Sequence, residues 1–184
     1  MDRIKSRPQS ELRGQSINRA PSPWRVRSVP YFSIILASLI PVILIADVMP
    51  IVPPLGFLML LGWRMVRPGL LPLWVGAPLG AVDDLVSGQP FGSAILLWSL
   101  AMMAIEVIET RFPWRGFWQD WFTASLIAAV YWCAALLVSG AKVSMELLSV
   151  SAPQALLSIL LYPIIARLVA RLDQFRLARA RRID

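Results

Sequence analysis

The sequence contains no histidine, and its 184 residues include a single cysteine, Cys133. A Ser–His–Asp or Cys–His catalytic site needs a histidine, a disulfide bond needs two thiols, and zinc is held by several Cys, His or carboxylate ligands. The sequence therefore excludes a histidine-based nucleophilic enzyme and an internal disulfide bond, and it disfavours a zinc site. Cys133 itself lies in an apolar run, where a lone thiol behaves as a small hydrophobic group.

Acidic residues are also scarce, with 11 Asp and Glu against 18 Lys and Arg, for a formal net charge of +7. An excess of basic charge is one signature of nucleic-acid binding, but here the basic residues stand at the ends of apolar stretches rather than along one face of a polar domain. In addition, 57% of the residues are hydrophobic, whereas a soluble domain averages roughly 45–50%. The composition indicates a membrane protein with no nucleic-acid partner, whose arginines contact anionic lipids at the cytoplasmic face.

Apolar segments alternate with basic connections along the chain. When the segments are laid across a bilayer in turn, 17 of the 18 basic residues fall on one side and only Lys142 falls on the other. Basic loops are retained in the cytoplasm. The pattern predicts an all-α polytopic membrane protein, a compact bundle of six transmembrane helices with cytoplasmic N- and C-termini. We place the segments at about residues 31–47, 48–63, 70–87, 91–108, 121–140 and 153–170.

The second segment is too short for an ordinary transmembrane helix. Its sixteen residues would span about 24 Å as a helix, less than the roughly 30 Å of a hydrocarbon core. It also opens with three prolines, Pro50, Pro53 and Pro54. We therefore expect this segment to be either a short crossing or a re-entrant piece inside the bundle.

The chain divides into a disordered basic tail at 1–30, a transmembrane domain at 31–170 and a basic amphipathic tail at 171–184. The first tail is rich in Ser, Pro and Arg, a composition that cannot bury a core. The second continues the sixth segment as a helix, with an apolar face and arginines that reach lipid headgroups. Its apolar face comprises Leu168, Leu172 and Phe175, and the arginines are Arg167, Arg171, Arg176 and Arg179. Tryptophans beside the predicted inner boundary are expected at headgroup level; they are Trp63, Trp114, Trp118 and Trp121.

Charged residues inside a membrane are costly and so are candidate sites. Asp83 and Asp84 fall near the predicted outer interface, and because successive helical positions differ by about 100°, we expect only one of them to point into the bundle. Glu106 and Glu109 share a helix face near the inner boundary. An ion pair across helices or simple snorkelling explains these glutamates; the nearby cations are Arg64, Arg67, Arg111 and Arg115.

The aspartate pair raises the question of catalysis, because adjacent carboxylates can hold a metal or share a proton. A membrane enzyme brings a further base, nucleophile or carboxylate to the same depth, and the predicted outer half of the bundle supplies none. The sequence therefore predicts a protein that is not an enzyme, with no catalytic, cofactor-binding or metal-binding residues. The enzyme alternative would require a measured activity that is lost on replacing Asp83 or Asp84.

Residues 80–92 read Gly-Ala-Val-Asp-Asp-Leu-Val-Ser-Gly-Gln-Pro-Phe-Gly and resemble a motif of the bacterial rod-shape-determining protein MreD family. The family pattern is a glycine, an aspartate four residues on, a Leu-x-Ser-Gly turn, and then an apolar residue and a glycine that open the next helix. The matching residues are Gly80, Asp84, Ser87, Gly88 and Gly92. Length, the six-helix layout and basic tails extend the resemblance over most of the chain. Asp83, which doubles the acidic position, and the long N-terminal tail depart from the family pattern.

The motif residues also have physical roles that do not depend on the resemblance. Gly80 lets a neighbouring helix approach, and Gly88 frees the backbone for a turn. Gly92 is expected to allow tight packing at the start of the fourth segment. Asp84 is placed to accept hydrogen bonds from amides of the turn or of the next helix N-terminus, where an anion is favoured.

The resemblance implies a non-enzymatic scaffold subunit of the cell-elongation machinery in the bacterial inner membrane. It implies binding to MreC, a bitopic membrane protein, and an indirect link to the actin-like MreB and to peptidoglycan synthases. The family is also similar in fold to substrate-binding subunits of vitamin uptake transporters. The alternative function is therefore a substrate-binding membrane subunit for uptake of a vitamin or other small molecule, which needs a polar cavity on the outer side.

Overall fold

The computed structural model describes residues 23–45, 52–112, 116–140 and 144–177. All regular structure in these ranges is helical, as predicted, and residues Leu73–Val75 form a short 3₁₀ turn. There are six α-helices: α1 (Pro23–Ile45), α2 (Leu55–Val66), α3 (Gly76–Ser87), α4 (Ser93–Arg111), α5 (Phe117–Val138) and α6 (Met145–Leu177).

Successive helices run in opposite directions, so the bundle has two distinct ends. Side chains of Arg64, Arg67 and Arg176 lie at one end, which we call the arginine end, beside the start of α1 and the end of α4. The tight connection between α3 and α4, residues 88–92, lies at the other end, which we call the turn end. This alternation agrees with the layout predicted from the charges.

Helix α2 occupies the centre of the bundle. It has only 12 residues, and ten of them, from Gly56 to Met65, are buried. It packs against α1, α5 and α6. At 1.5 Å per residue it is about 18 Å long, so the second segment forms the short helix expected of it, protected from lipid by its longer neighbours.

Within the part of the chain that the structure describes, four helices are long and apolar enough to cross a membrane, namely α1, α4, α5 and α6. Helix α3 has 12 residues, like α2, and is preceded by the 3₁₀ turn. The predicted segment at 70–87 therefore contains two joined pieces rather than one regular helix. Pro72 lies just before the 3₁₀ turn and Pro78 in the first turn of α3, positions where a missing amide hydrogen costs little.

Two helices extend beyond their predicted boundaries. Helix α1 begins at Pro23, so its first two turns lie in the stretch expected to be a disordered tail; proline is well suited to the first turn of a helix. Helix α6 begins at Met145 and continues to Leu177. Most of the residues between the fifth and sixth predicted segments, 141–152, are therefore helical. The remaining parts of the two predicted tails, 1–22 and 178–184, lie outside the described residues.

The last turns of α6 bury one of the arginines that were predicted to reach lipid headgroups. The buried residues are Val169, Asp173 and Arg176, whereas Leu168 and Phe175 are exposed. The prediction that Arg176 reaches lipid headgroups is wrong, because Asp173 one turn earlier pairs with it inside the bundle.

Trp63 also differs from its prediction. It is fully buried rather than at headgroup level, and its indole N–H donates a 2.8 Å hydrogen bond to the Ser33 hydroxyl of α1. Because this partner lies inside the bundle, the indole needs no contact with headgroups. Trp118 is exposed, as expected of a residue at the membrane boundary, and Trp114 lies outside the described residues.

Candidate functional site

Helices α3 and α4 are the most closely packed pair, and glycine makes their approach possible. A Cβ atom added to Gly80 would lie 2.6 Å from the carbonyl oxygen of Ala94, and one added to Gly76 would lie 3.0 Å from that of Trp98. Both neighbours are backbone atoms that cannot rotate away. Gly76 and Gly80, which are four residues apart, therefore bring helix α3 into direct contact with the backbone of α4.

Asp84 closes the same hairpin by binding the start of α4. Its Oδ2 accepts hydrogen bonds from the amides of Gly92 (2.9 Å) and Ile95 (3.2 Å), and its Oδ1 accepts from the amide of Ala94 (2.8 Å) and the hydroxyl of Ser93 (3.0 Å). Amides in the first turn of a helix have no partner within the helix, and the N-terminal dipole favours an anion. The hydrogen bonding predicted for Asp84 is confirmed, and the side chain caps α4 from another helix.

The connection between α3 and α4 depends on two glycines with positive φ angles. Gly88 has φ 69° and Gly92 has φ 99°, a region that other residues rarely adopt. The turn role of Gly88 is as predicted. The packing role predicted for Gly92 is wrong, because a Cβ there would meet no atom within 4 Å. Gly92 is needed for its backbone conformation, which aims its amide at Asp84, and Ser87 is exposed at the end of α3.

Asp83 is buried as well, contrary to the expectation that only one aspartate faces the bundle. It is 9% exposed, compared with 4% for Asp84. Helix α3 packs against α4 on one side and against α1 on another. Two adjacent side chains that point about 100° apart can therefore both be buried. Asp84 points to α4, while Asp83 lies near Ser38 of α1, the side chain placed to donate a hydrogen bond to it.

Asp83 lines a cavity of about 310 Å³ at the turn end. The cavity borders the first residues of α2, and its wall includes Ser38, Gly56, Tyr131 and Gln154. The Tyr131 ring stacks on Phe57 with centroids 4.1 Å apart. A second cavity of about 170 Å³ shares Tyr131, Gln154 and Gln89 with it and continues toward α5. Polar groups from several helices therefore converge on one space.

At the arginine end, buried Arg64 pairs with two glutamates of α4. Its Nη2 donates to Glu109 at 2.8 Å and also contacts the Glu106 carboxylate, while its Nη1 donates to the carbonyl of Leu71 at 3.3 Å. The side chain of Arg64 is 3% exposed, that of Glu109 14% and that of Glu106 44%. Of the two explanations open from the sequence, an interhelical ion pair or snorkelling, the structure has the ion pair, and its cation is Arg64.

Arg67, the other arginine expected near these glutamates, pairs elsewhere. Its Nε donates to Asp173 at 2.7 Å, and the second oxygen of Asp173 accepts from Arg176, also at 2.7 Å. Arg176 in turn donates to the carbonyl of Val26 at 3.0 Å and lies over the Trp63 ring. One carboxylate thus joins the end of α2 to α6, and through Arg176 to the start of α1.

Sequence reasoning singled out neither Asp173 nor the cavity residues Ser38, Tyr131 and Gln154. Asp173 had a detectable signal, because it is a lone acid among the arginines of residues 167–182. The cavity residues had none, since a serine, a tyrosine and a glutamine on three different helices share no spacing. Within the described ranges, no group of three His, Cys, Asp or Glu residues could hold a metal ion.

The family comparison covers both ends of this arrangement. A family model described as rod shape-determining protein MreD matches residues 23–173. The matched range runs from the first residue of α1 to Asp173, and it includes the hairpin, the cavity and the Arg64 ion pairs. No curated protein and no solved structure gave a match.

Proposed function

We propose that the protein acts as a non-enzymatic scaffold subunit of the cell-elongation machinery. The proposal starts from its family, because the chain belongs to the MreD family of rod shape-determining proteins. Membership rests on a match over residues 23–173 of the 184, and it makes rod-shape determination the role of this multi-pass membrane protein. The scaffold function, the partners and the inner-membrane location are the proposed part.

The observation that carries the scaffold proposal is the α3–α4 hairpin. Its two helices touch through Gly80, and Asp84 binds the start of α4 through four hydrogen bonds. Such a hairpin presents a rigid turn, residues 88–92, whose shape does not depend on a partner. A preformed surface costs little conformational entropy on binding, which suits a protein that holds others in place.

The proposed direct partner is a bitopic protein of the MreC type, and the actin-like MreB and peptidoglycan synthases are indirect partners. The positive-inside rule supports an orientation with the arginine end in the cytoplasm and the turn end outside. The turn would then face the side on which the wall is built, where an MreC-type periplasmic domain lies. Gly80, Asp84, Ser87, Gly88 and Gly92 are the residues proposed to form or support this contact.

Co-purification from membranes in mild detergent tests the partner directly. Wild-type chain should retain an MreC-type protein, identified by mass spectrometry, whereas Asp84→Ala should retain less. Arg111→Gln, an exposed change at the opposite end, is the matched control and should retain as much as wild type. Depletion in cells should give rounding and loss of lateral wall insertion; rod-shaped growth with normal insertion after depletion would refute the proposal.

The cavity at Asp83 favours one alternative, a substrate-binding subunit for small-molecule uptake. This alternative needs a polar space at the turn end, and Asp83, Tyr131 and Gln154 provide one. An uptake subunit would make growth depend on an external nutrient, and depletion would leave cell shape unchanged. Cell shape and uptake measured in the same depletion strain therefore separate the two functions.

A further inference from the structure

The two adjacent aspartates of α3 are in different states of hydrogen bonding. Asp84 accepts from three amides and one hydroxyl. Asp83 is also nine-tenths buried, yet among the described residues Ser38 is the one side chain placed to donate a hydrogen bond to it. Among the described residues, no lysine or arginine lies within ion-pair distance of Asp83. A buried carboxylate without a cation is costly unless another group compensates it.

The side chains around Asp83 reinforce this imbalance. The Tyr131 hydroxyl is buried, and among the described residues the one hydrogen-bonding group directed at it is the Trp98 indole N–H. It lines the same cavity as Asp83. The arginines of the bundle that pair with acids are all held at the arginine end, so none is available to neutralise the carboxylate. The Asp83 carboxylate and the Tyr131 hydroxyl thus line one cavity, and no cation among the described residues pairs with the carboxylate.

We propose that the cavity at the turn end is a binding site for a small organic cation, whose ammonium group contacts the Asp83 carboxylate and the Tyr131 hydroxyl. The oxygen atoms of these two residues are the acceptors that an ammonium group requires. Their burial strengthens the attraction, because water screens it less than at the surface. Asp84 adds negative charge beside the site without competing for the ligand, since its own oxygens are occupied.

The remaining walls define the rest of the ligand. The cavity volume, about 310 Å³, lies near the lower end of small-molecule sites, which span roughly 300–1,000 Å³. Its other walls include the apolar side chains of Pro53, Pro54 and Val86, and the Tyr131 ring forms one side. A compact apolar or aromatic body that carries one ammonium group fits this lining. A lysine side chain of a partner protein carries the same group, so the experiment has to distinguish a free molecule from a partner.

The test uses the full chain purified in mild detergent and two matched probes, 2-phenylethylammonium and its neutral analogue 2-phenylethanol. We expect the ammonium compound to raise the thermal unfolding temperature in a saturable way and the alcohol to have little effect. Asp83→Asn, which keeps the shape of the side chain, should weaken the apparent affinity by at least about tenfold, since hydrogen bonds to a charged group contribute about 1.5–3 kcal/mol. Tyr131→Phe should weaken it less.

Glu146→Gln provides the matched control, because Glu146 is an exposed carboxylate on the turn-end half of α6. It should bind the ammonium probe as wild type does. Equal stabilisation by both probes, or unchanged affinity in Asp83→Asn, would overturn the proposal. Binding that appears only after Lys142→Met would assign the carboxylate to the chain's own lysine and would equally overturn it.

A competition experiment separates the two sources of the ammonium group. If a free molecule is the ligand, 2-phenylethylammonium should bind the chain whether or not an MreC-type partner is attached, and it should leave the partner bound. Release of the partner by the probe would assign the site to a partner side chain and refute a free ligand. The outcome is independent of the scaffold function, whose failure would appear as normal cell shape after depletion.

Discussion

Asp84 and Ala94 are joined by a 2.8 Å hydrogen bond from the Ala94 amide, while the carbonyl of the same Ala94 lies against Gly80 one turn earlier on α3. Helix α3 therefore contacts both backbone polar groups of Ala94. The amide donates a hydrogen bond to Asp84, and the carbonyl oxygen lies close to Gly80. Asp84 stabilises the contact between the helices by hydrogen bonding, and Gly80 allows it because it has no Cβ atom. Changes at either position should separate the helices, but for different reasons.

Removing the Asp84 carboxylate should destabilise the bundle. In Asp84→Ala the amides of Gly92, Ala94 and Ile95 lose their acceptor, and a buried donor without a partner costs about 1–3 kcal/mol. We expect a loss of at least about 2 kcal/mol, read as a lower unfolding temperature in detergent by tryptophan fluorescence. Asp83→Asn, at the neighbouring position, should cost clearly less. Equal losses would mean that Asp84 has no special role in the hairpin.

A methyl group at Gly80 should force α3 and α4 apart. In Gly80→Ala the new Cβ would lie 2.6 Å from the Ala94 carbonyl oxygen, and overpacking of this kind costs about 1–3 kcal/mol. Gly116→Ala is the control, because Gly116 has φ −121° and open space where its Cβ would lie. Unfolding temperatures of both variants check the prediction, which fails if Gly80→Ala is as stable as the control.

The two glutamates that bind Arg64 should differ in importance. The Glu109 side chain is 14% exposed and that of Glu106 is 44% exposed, so water compensates the loss of Glu106 more readily. We expect Glu109→Gln to destabilise more than Glu106→Gln. Arg64→Met, which removes the cation that both carboxylates contact, should be the most damaging, at about 3–5 kcal/mol. The reverse order of the two glutamine variants would contradict this.

Asp173 should control the attachment of α1 to the arginine end. In Asp173→Asn both Arg67 and Arg176 lose their anionic partner, and Arg176 also holds the Val26 carbonyl. Amide hydrogens in the first turns of α1 should then exchange faster, measured by mass spectrometry. Arg171→Gln, an exposed change on the same helix, should leave exchange unaltered. Protection that persists in Asp173→Asn would show that α1 is held by other contacts.

Cysteine labelling can establish the orientation. In a Cys133→Ala background, a cysteine at exposed Gln89 should react with a membrane-impermeant maleimide added to cells whose outer envelope has been permeabilised. A cysteine at exposed Arg111, at the other end of the bundle, should react only after the cells are lysed. Labelling of the Arg111 variant in unlysed cells would reverse the orientation that the positive-inside rule assigns.

Much of the fold could be predicted because its signals are local. Apolar length and basic connections predict helices and their alternation, and the Gly80–Gly92 stretch predicts a hairpin with a capping aspartate. Each of these depends on residues within one segment of the chain or in the connection to the next. The ion pair between Arg64 and the α4 glutamates was also accessible, because a charge at membrane depth demands a partner and few were available.

The errors concern side chains whose partners are distant in sequence. Trp63 and Arg176 were assigned to the membrane boundary, where isolated tryptophans and arginines prefer to be. In the structure they pack on each other, and Asp173 and Ser33 complete their contacts. The prediction that only one of the two aspartates points into the bundle uses the angle of about 100° between successive helical positions. That angle does not say how many helices surround α3. Tertiary contacts decided each case.

Helix α2 has a consequence for biogenesis. A 12-residue helix is too short to span the hydrocarbon core by itself, and Arg64 near its end is costly in lipid without a partner. Glu106 and Glu109, which neutralise that arginine, follow 42 and 45 residues later in the chain. Ribosomal synthesis therefore exposes Arg64 well before its partners emerge. We therefore expect α2 to enter the bilayer together with α4 and its other neighbours, after Glu106 and Glu109 have been synthesised, rather than by itself.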